Sequence, residues 1–416
     1  MILSFVVSIL SARYLGPANY GLIQYANSLI SFMMPIMQLG FASILVNELI
    51  SNPHDEGKLL GTATVSCACS AMITMPTVVL FAFVANDGDT QTVVVCAIMS
   101  LNLFLSALEM CQYWFQAKLQ SKFMSVVSLL SYFLVSVYKV FLLITQKNVY
   151  WFAFSYVLEL LLIDFALFII YRKLGGQRFS FSCTLAKNLF TKGKYYIVSD
   201  LMISVFAQTD RVMLYSMVDS AAAGQYSAAM ACAGLMSFVF GAIIDSYRPV
   251  ILESRLNNFD AFELNVKRLY CIVIYLSLGV NLIMIFGAKW IIEVLYGTAY
   301  LPAISALRIL TLYTTFSYLG IIRNVWILAE KKQKYLWILN LTGAVANVGL
   351  NFLLIPYMGI DGAALATLLT QFTANVGISF ILRPVRRSNI LMLQAFRPKL
   401  LIDIVESFFK SWKSKC

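Results

Sequence analysis

The sequence predicts an all-α polytopic membrane protein, with about twelve transmembrane helices in two pseudo-symmetric six-helix bundles around a central cleft. Three observations carry that reading. Of 416 residues, 60% are hydrophobic and only 12% charged, with a mean hydropathy of +0.79; soluble domains run near about 25% charged and have no way to hide so much apolar surface. Apolar runs long enough to cross a bilayer recur along the whole chain. The second half also repeats landmarks of the first.

Taken in order, eleven runs reach the roughly 20 residues that a span needs: 22–47, 59–85, 92–117, 123–146, 150–171, 195–217, 222–247, 269–288, 303–329, 335–355 and 361–382. Residues 1–12 supply a partial twelfth, too short to cross alone and without the basic n-region of a signal peptide, so the first helix is expected to be truncated. Phe32-Met-Met-Pro35 falls inside the second helix and predicts a kink there. Lysine and arginine set the orientation. If the loop at 48–58 faces the cytoplasm, so does every second loop after it, and these loops with the tail hold nearly all the basic loop residues. The opposite loops hold only Arg13, Lys147 and Lys289. Both termini are therefore expected in the cytoplasm. The same distribution explains the net charge of +11 without a nucleic-acid partner. From Ser388 to Cys416, apolar positions such as Leu400, Leu401, Ile404, Val405, Phe408 and Phe409 alternate with basic ones, a spacing expected of an amphipathic helix lying on the cytoplasmic leaflet.

Charges left inside the runs are costly and need a reason. Lys139, Arg211, Arg248, Arg308 and Arg323 stand against Glu109, Glu159, Asp164, Asp200, Asp210 and Asp245. Arg248, Arg323 and Asp245 lie near helix ends, where snorkelling to the interface accounts for them. Lys139, Asp164, Asp210 and Arg308 are not so easily dismissed. The eight cysteines are scattered and His54, the single histidine, sits in a polar loop, so neither a metal site nor a cofactor is expected.

Trp114-Phe-Gln-Ala117-Lys-Leu-Gln-Ser-Lys122-Phe123 recurs as Trp326-Ile-Leu-Ala329-Glu-Lys-Lys-Gln-Lys334-Tyr335, an offset of 212 residues. Phe141-Leu-Leu-Ile144 is echoed by Phe352-Leu-Leu-Ile355, and Gly21-x-x-x-Tyr25-Ala26 more loosely by Gly224-x-x-x-Ala228-Ala229. An even number of crossings separates the copies, so the halves are expected to be parallel repeats of the kind that work by alternating access. The organisation read from this is an N-terminal bundle over 1–171, a basic cytoplasmic linker over 172–194, a C-terminal bundle over 195–387 and a basic tail over 388–416.

Five stretches carry a family resemblance. They are Ser11-Ala-Arg13-Tyr-Leu15-Gly16-Pro17-Ala-Asn-Tyr20-Gly21; Trp114-Phe-Gln-Ala117; Thr209-Asp210-Arg211-Val-Met-Leu with Gly224-x-Tyr226-x-Ala228; Leu295-Tyr-Gly297-x-x-Tyr300; and Pro356-Tyr-Met-Gly359-Ile-Asp-Gly362-Ala-Ala364. The chain resembles the Wzx-type O-antigen and capsule repeat-unit flippases of the MATE/MOP superfamily from Ser11 to about residue 385. The resemblance implies a flippase carrying undecaprenyl-diphosphate-linked oligosaccharide from the cytoplasmic to the periplasmic leaflet of a bacterial cell membrane. Its partners would be the lipid-linked glycan and membrane lipids, with the polymerase of the same pathway as a further candidate. The clipped first helix and the lack of a thirteenth and fourteenth helix depart from the fourteen-helix lipid II flippases.

A diphosphate needs cations, and arginine offers it a planar fork of donors. Arg13, Lys139, Arg211 and Arg308 are the candidates for that task, with Asp164 and Asp210 as counter-ions or coupling carboxylates. Asn27, Gln38, Gln112, Tyr138, Gln208, Tyr313, Asn347, Asn351 and Gln371 are candidates for the cleft surface. Coupling to H+ or Na+ stays open. The alternative is a MATE-like cation- or proton-coupled small-molecule or multidrug antiporter, with Asp164 and Glu159 as its carboxylates. An enzyme is disfavoured because the loops are short and offer no histidine base.

Overall fold

All regular structure among the described residues is helical in the computed structural model of the chain, which describes residues 2–403 and 406. The helices are α1 (Ile2–Met37), α2 (Leu45–Ser51), α3 (Glu56–Ala85), α4 (Thr90–Leu105), α5 (Gln112–Ala117), α6 (Ser121–Ile144), α7 (Val149–Lys173) and α8 (Cys183–Met217). They continue as α9 (Ser220–Ala233), α10 (Ser237–Asn257), α11 (Phe259–Leu295), α12 (Ala303–Ala329), α13 (Leu336–Phe372), α14 (Ile378–Ile381) and α15 (Arg386–Ala395). Among the described residues, eight helical stretches are long and apolar enough to cross a membrane. The expected runs 335–355 and 361–382 fall in one of those stretches, Gln333–Ile381. The protein is thus a polytopic all-α membrane protein.

Two glycines divide what is otherwise continuous helix. Gly359 takes φ 53° and ψ −125° in the middle of α13. A Cβ at Gly362 would land on the backbone of Leu354, although eight residues of straight helix span about 12 Å. The chain therefore folds back sharply at Pro356-Tyr-Met-Gly359. Gly16, with φ 72°, does the same for α1, so that Ser8 and Ser11 share a crevice with Tyr20 and Ile23. Residues 2–12 lie in the shorter arm of this hairpin. The kink expected at Pro35 is instead an end: α1 stops at Met37 and the chain turns through Gly40 at φ 71°.

The chain divides into two compact units, Met1–Gly224 and Gln225–Cys416. In the first, α1, α3, α4, α6 and α7 pack around a shared core, with Tyr25, Phe41, Phe115, Phe152 and Tyr171 among its fully buried side chains. α8 runs along α1, which is why the boundary of contacts lies past the linker expected at 172–194. The first turn of α9 also meets α1, and this approach requires glycine: a Cβ at Gly21 would strike the Ser220 carbonyl, and one at Gly224 the Pro17 carbonyl. Arg172 and Lys173 belong to α7 and residues 183–194 to α8. What remains of the linker is a strap laid on α3. Ser180 N donates to Gly57 O (3.3 Å) and Gly57 N to Gln177 Oε1 (3.0 Å), while Ser182 N donates to Thr62 Oγ1 (3.1 Å). Gly57 and Gly61 leave room for it, since a Cβ on either would meet the strap's backbone or side chains.

In the second unit, α10 to α13 enclose a core around Phe240, Phe262, Tyr270, Ile322 and Trp326. After α13 the helix widens into a π-helical turn over Thr373–Gly377. Arg323, expected to snorkel, is instead buried at 3% exposure; its guanidinium donates to Ala374 O (2.7 Å) and Ser379 Oγ (3.3 Å). The correction has a physical cause: a π turn leaves carbonyls without their usual helical donors, and an arginine fork satisfies them from the side. Asn389 Nδ2 does the same for Val376 O at 2.7 Å. By contrast, Arg248 and Asp245 form an exposed pair at 3.3 Å, as helix-end charges do. The beginning of the tail also differs from expectation. Ser388, Asn389, Leu391, Met392 and Ala395 of α15 are buried in the protein, and Arg387 grips Glu263 of α11 with two bonds of 2.6 Å. Leu400 and Leu401 pack on the same core; Ile404, Val405, Phe408 and Phe409 lie outside the described residues.

Candidate functional site

The first unit holds a cavity of about 370 Å3 whose walls are polar although they are cut into apolar helices. Each wall is one helical stripe, because residues three, four and seven apart share a face. Asn27 and Ser31 come from α1, with Met34 one turn on. Asn102 on α4 is followed by Ser106, Glu109 and Gln112, where the chain runs through a short 3-10 turn (Leu108–Cys111) into α5. Ser128 and Tyr132 come from α6. α7 contributes Tyr156, Glu159, Ile163 and Asp164, about half-way along its length.

Three carboxylates therefore face one space inside a membrane bundle. Glu109 accepts from Gln112 Nε2 at 2.6 Å. Asp164 is 1% exposed, and neither of its oxygens meets a hydrogen-bond donor among the described residues. The Asn102 side-chain oxygen is likewise without a donor. Buried polar groups are nearly always satisfied; the Asp164 carboxylate and the Asn102 oxygen, enclosed in the wall of this cavity, are two that meet no donor among the described residues. Among the described residues no group of three or more metal-ligating side chains is arranged to hold a metal ion.

Of the six charged residues singled out by sequence, only Asp164 stands on this wall. Lys139 lines a neighbouring crevice of about 10 Å3, room for no more than a single water. Its ammonium lies 4.5 Å from the centroid of the Tyr156 ring, and Tyr156 borders both spaces. Arg211 donates to Gln208 Oε1 at 2.6 Å; Gln208 in turn accepts from Ser28 of α1 at 3.1 Å, which ties α8 to α1. Asp210 is buried at 3% exposure. Arg13 and Arg308 are exposed, and Arg308 Nε donates to Ile285 O at 3.2 Å. Of the polar candidates for a cleft, Asn27 and Gln112 reach the cavity. The sequence reading missed the carboxylate trio as a group. The usable signal was the stripe itself: Asn102, Ser106 and Glu109, and Tyr156, Glu159 and Ile163, fall on helical faces of otherwise apolar runs.

The residues that carry the family resemblance do different work. Trp114 Nε1 donates to Glu56 Oε2 at 2.7 Å, Lys118 pairs with the same carboxylate, and Tyr171 packs edge-on to the indole with ring centroids 5.1 Å apart. Gly297 turns the chain at φ 86°, with the Tyr296 and Tyr300 rings tilted against each other beside it, centroids 5.2 Å apart. Tyr226 OH and Thr367 Oγ1 share a hydrogen bond of 2.9 Å. These are devices of the fold.

A bundle of this construction belongs to a known class of membrane protein. The structure aligns at a TM-score of 0.73 with the inward-facing conformation of a multidrug resistance MATE family transporter of the MOP superfamily, at 14% identity over 95% of this chain and 96% of that one. It aligns at 0.72 with the lipid II flippase MurJ in its inward closed conformation, at 16% identity over 97% and 90%. At such identities the likeness is one of fold. Residues 1–254 match the profile of the family described as polysaccharide biosynthesis protein, and the chain belongs to that family. The resemblance read from the motifs is borne out at this level. A curated relative, an uncharacterized membrane protein of Methanocaldococcus jannaschii, is 27% identical over 260 residues, 59% of this chain; the match spans 50% of the relative's length.

Proposed function

We propose that the protein is a flippase for lipid-linked oligosaccharide, moving undecaprenyl-diphosphate-bound repeat units from the cytoplasmic to the outer leaflet of a bacterial cell membrane. The observation that carries the proposal is the polar cavity sunk into the first unit of a chain from the polysaccharide biosynthesis family. A structural or receptor role gives no reason to sink three carboxylates and three carboxamides into an apolar bundle, since each costs free energy there. A carrier of sugars needs such groups. The fold shared with a lipid II flippase supports the same reading. Arg13, Lys139, Arg211 and Arg308 are assigned to the diphosphate; Arg13 and Arg308 are exposed, while Lys139 and Arg211 are each also held against a neighbour in the first unit. Asp164 and Asp210 are assigned to charge compensation or coupling, and both termini to the cytoplasm. The polymerase of the same glycan pathway is the proposed partner.

The experiment is deletion of the gene with measurement of surface glycan and of lipid-linked repeat units. Loss of the first with accumulation of the second on the cytoplasmic leaflet is expected; unchanged surface glycan would overturn the reading. One observation favours a second reading. Three carboxylates around one cavity, with Asp164 unpartnered, would also suit a cation-coupled small-molecule antiporter of the MATE kind. Drug efflux driven by a proton or sodium gradient in proteoliposomes, with glycan export intact in the deletion strain, would establish that alternative instead.

A further inference from the structure

The chemistry of the cavity says which sugars it will take. We propose that the cavity of the first unit receives a glycosyl residue that is uncharged or bears an amine, and that its carboxylates turn away uronic and phosphorylated sugars. This rests on the flippase reading and adds to it the substrate class.

Size, chemistry and charge support the assignment independently. At about 370 Å3 the cavity lies near the lower end of small-molecule sites, the scale of one or two sugar rings and far below that of a polyprenyl chain. Its walls alternate carboxylates with the carboxamides of Asn27, Asn102 and Gln112. These groups accept from vicinal hydroxyls and donate back to ring oxygens. Tyr132 and Tyr156 add flat apolar faces on which a pyranose packs. Asp164 stands on the same wall, buried, and neither of its oxygens has a donor among the described residues. The balance of charge decides the rest. Glu109, Glu159 and Asp164 line the cavity, and among the described residues no lysine or arginine is on its wall. Lys139, held against Tyr156 in the neighbouring crevice, attracts Glu159 alone of the three acids. An anionic guest would bring like charge into a confined space, whereas a hydroxyl or an ammonium would complete the open acceptors. The diphosphate of the carrier must then bind elsewhere. The cavity also lies toward the Lys118–Lys122 end of the bundle, the side that the basic loops assign to the cytoplasm, where lipid-linked sugars are loaded.

The test measures binding to the purified full-length protein in lipid nanodiscs by shift of the unfolding midpoint, in sodium chloride and in choline chloride. The probes are methyl β-D-glucoside, D-glucosamine and D-glucuronate. We expect saturable stabilisation by the first two and at least about tenfold weaker binding of glucuronate, since like-charge juxtaposition is strongly discriminating. Asp164→Asn should reduce that ratio to about threefold or less, and Glu159→Gln serves the same purpose should the first variant fail to fold. Equal binding of glucuronate, no binding of any sugar, or an unchanged ratio in both variants would overturn the proposal. So would stabilisation by sodium alone with no response to sugar, the mark of an inorganic cation site. A separate arm follows undecaprenyl-diphosphate disaccharides across proteoliposome membranes. Failure of every such lipid to cross would overturn the flippase reading and leave the binding ratio intact.

Discussion

Arg323 shows how a single side chain in this protein earns its place inside a membrane. Its guanidinium meets no carboxylate within ion-pair distance among the described residues; it donates instead to Ala374 O, Ser379 Oγ and Asn324 Oδ1. A π turn and a buried arginine are each unfavourable alone and satisfy one another together. Arg323→Met is therefore expected to cost about 1–3 kcal/mol, the penalty for stranding buried polar groups. Arg323→Lys should fall between, because one ammonium replaces a fork that reaches two acceptors. Thermal unfolding of the purified variants checks both, and a methionine variant as stable as the parent would refute the account. Asp89 supplies the residue-scale dependence on pH. It caps α4, accepting from Thr92 N at 2.9 Å and Thr92 Oγ1 at 2.5 Å, and the Thr92 hydroxyl touches Tyr215 OH of α8 at 2.7 Å. The bonds from the Thr92 side chain and backbone hold the Asp89 carboxyl below its usual range. Its contribution is thus present in full above the ordinary aspartate pKa of about 4 and is lost as pH falls through the lower folded value. Unfolding midpoints of the parent and Asp89→Asn should differ at neutral pH and converge in acid; a constant gap would show that ionisation of Asp89 plays no part.

At the scale of elements, the helices were legible and their joints were not. Hydropathy marked each apolar run because a span is a property of composition over twenty residues. The hairpins at Gly16 and Gly359 fall in the gaps that the sequence left between runs, but that each reversal turns on one residue entering the left-handed region of backbone space is not something composition reveals. The linker's seating was hidden for a related reason. Six basic residues and two adjacent glycines over 172–194 mark a basic linker without showing that 177–182 is bonded to α3 through Gly57 and Thr62. Only the coordinates show that Gly57 and Gly61 form a bed with no room for a Cβ. The strap makes a direct prediction. Gly61→Val should lift it, because the obstacle at that position is the backbone of Phe179 and Ser180. Trypsin cleavage after Arg178 in the folded protein should then rise several-fold while the helices stay intact, since proteolysis tracks the population of the opened segment. Unchanged cleavage would mean that the strap is held by other contacts.

The whole molecule joins a fold visible in composition to a site visible only in three dimensions. Asp164 was singled out because a lone acid in an apolar run is expensive, but nothing in a linear sequence joins it to Glu109, 55 positions away, or to Asn27 on the first helix. The cations named for a diphosphate were each chosen by the same rule of cost, which identifies charges without saying what they face. Orientation is the one global property that the sequence argues by itself. Lysine and arginine crowd alternate loops, and moving them across a membrane is opposed by the insertion machinery and the membrane potential. In a cysteine-free background, Lys289→Cys follows an expected outer position at the end of α11, and Lys334→Cys an expected inner one between α12 and α13. A membrane-impermeant maleimide applied to intact spheroplasts should label the first and spare the second until the membrane is opened. The reverse pattern would invert the topology. It would also put the Lys118–Lys122 end of the sugar cavity on the outer face, where a substrate made in the cytoplasm could not be loaded.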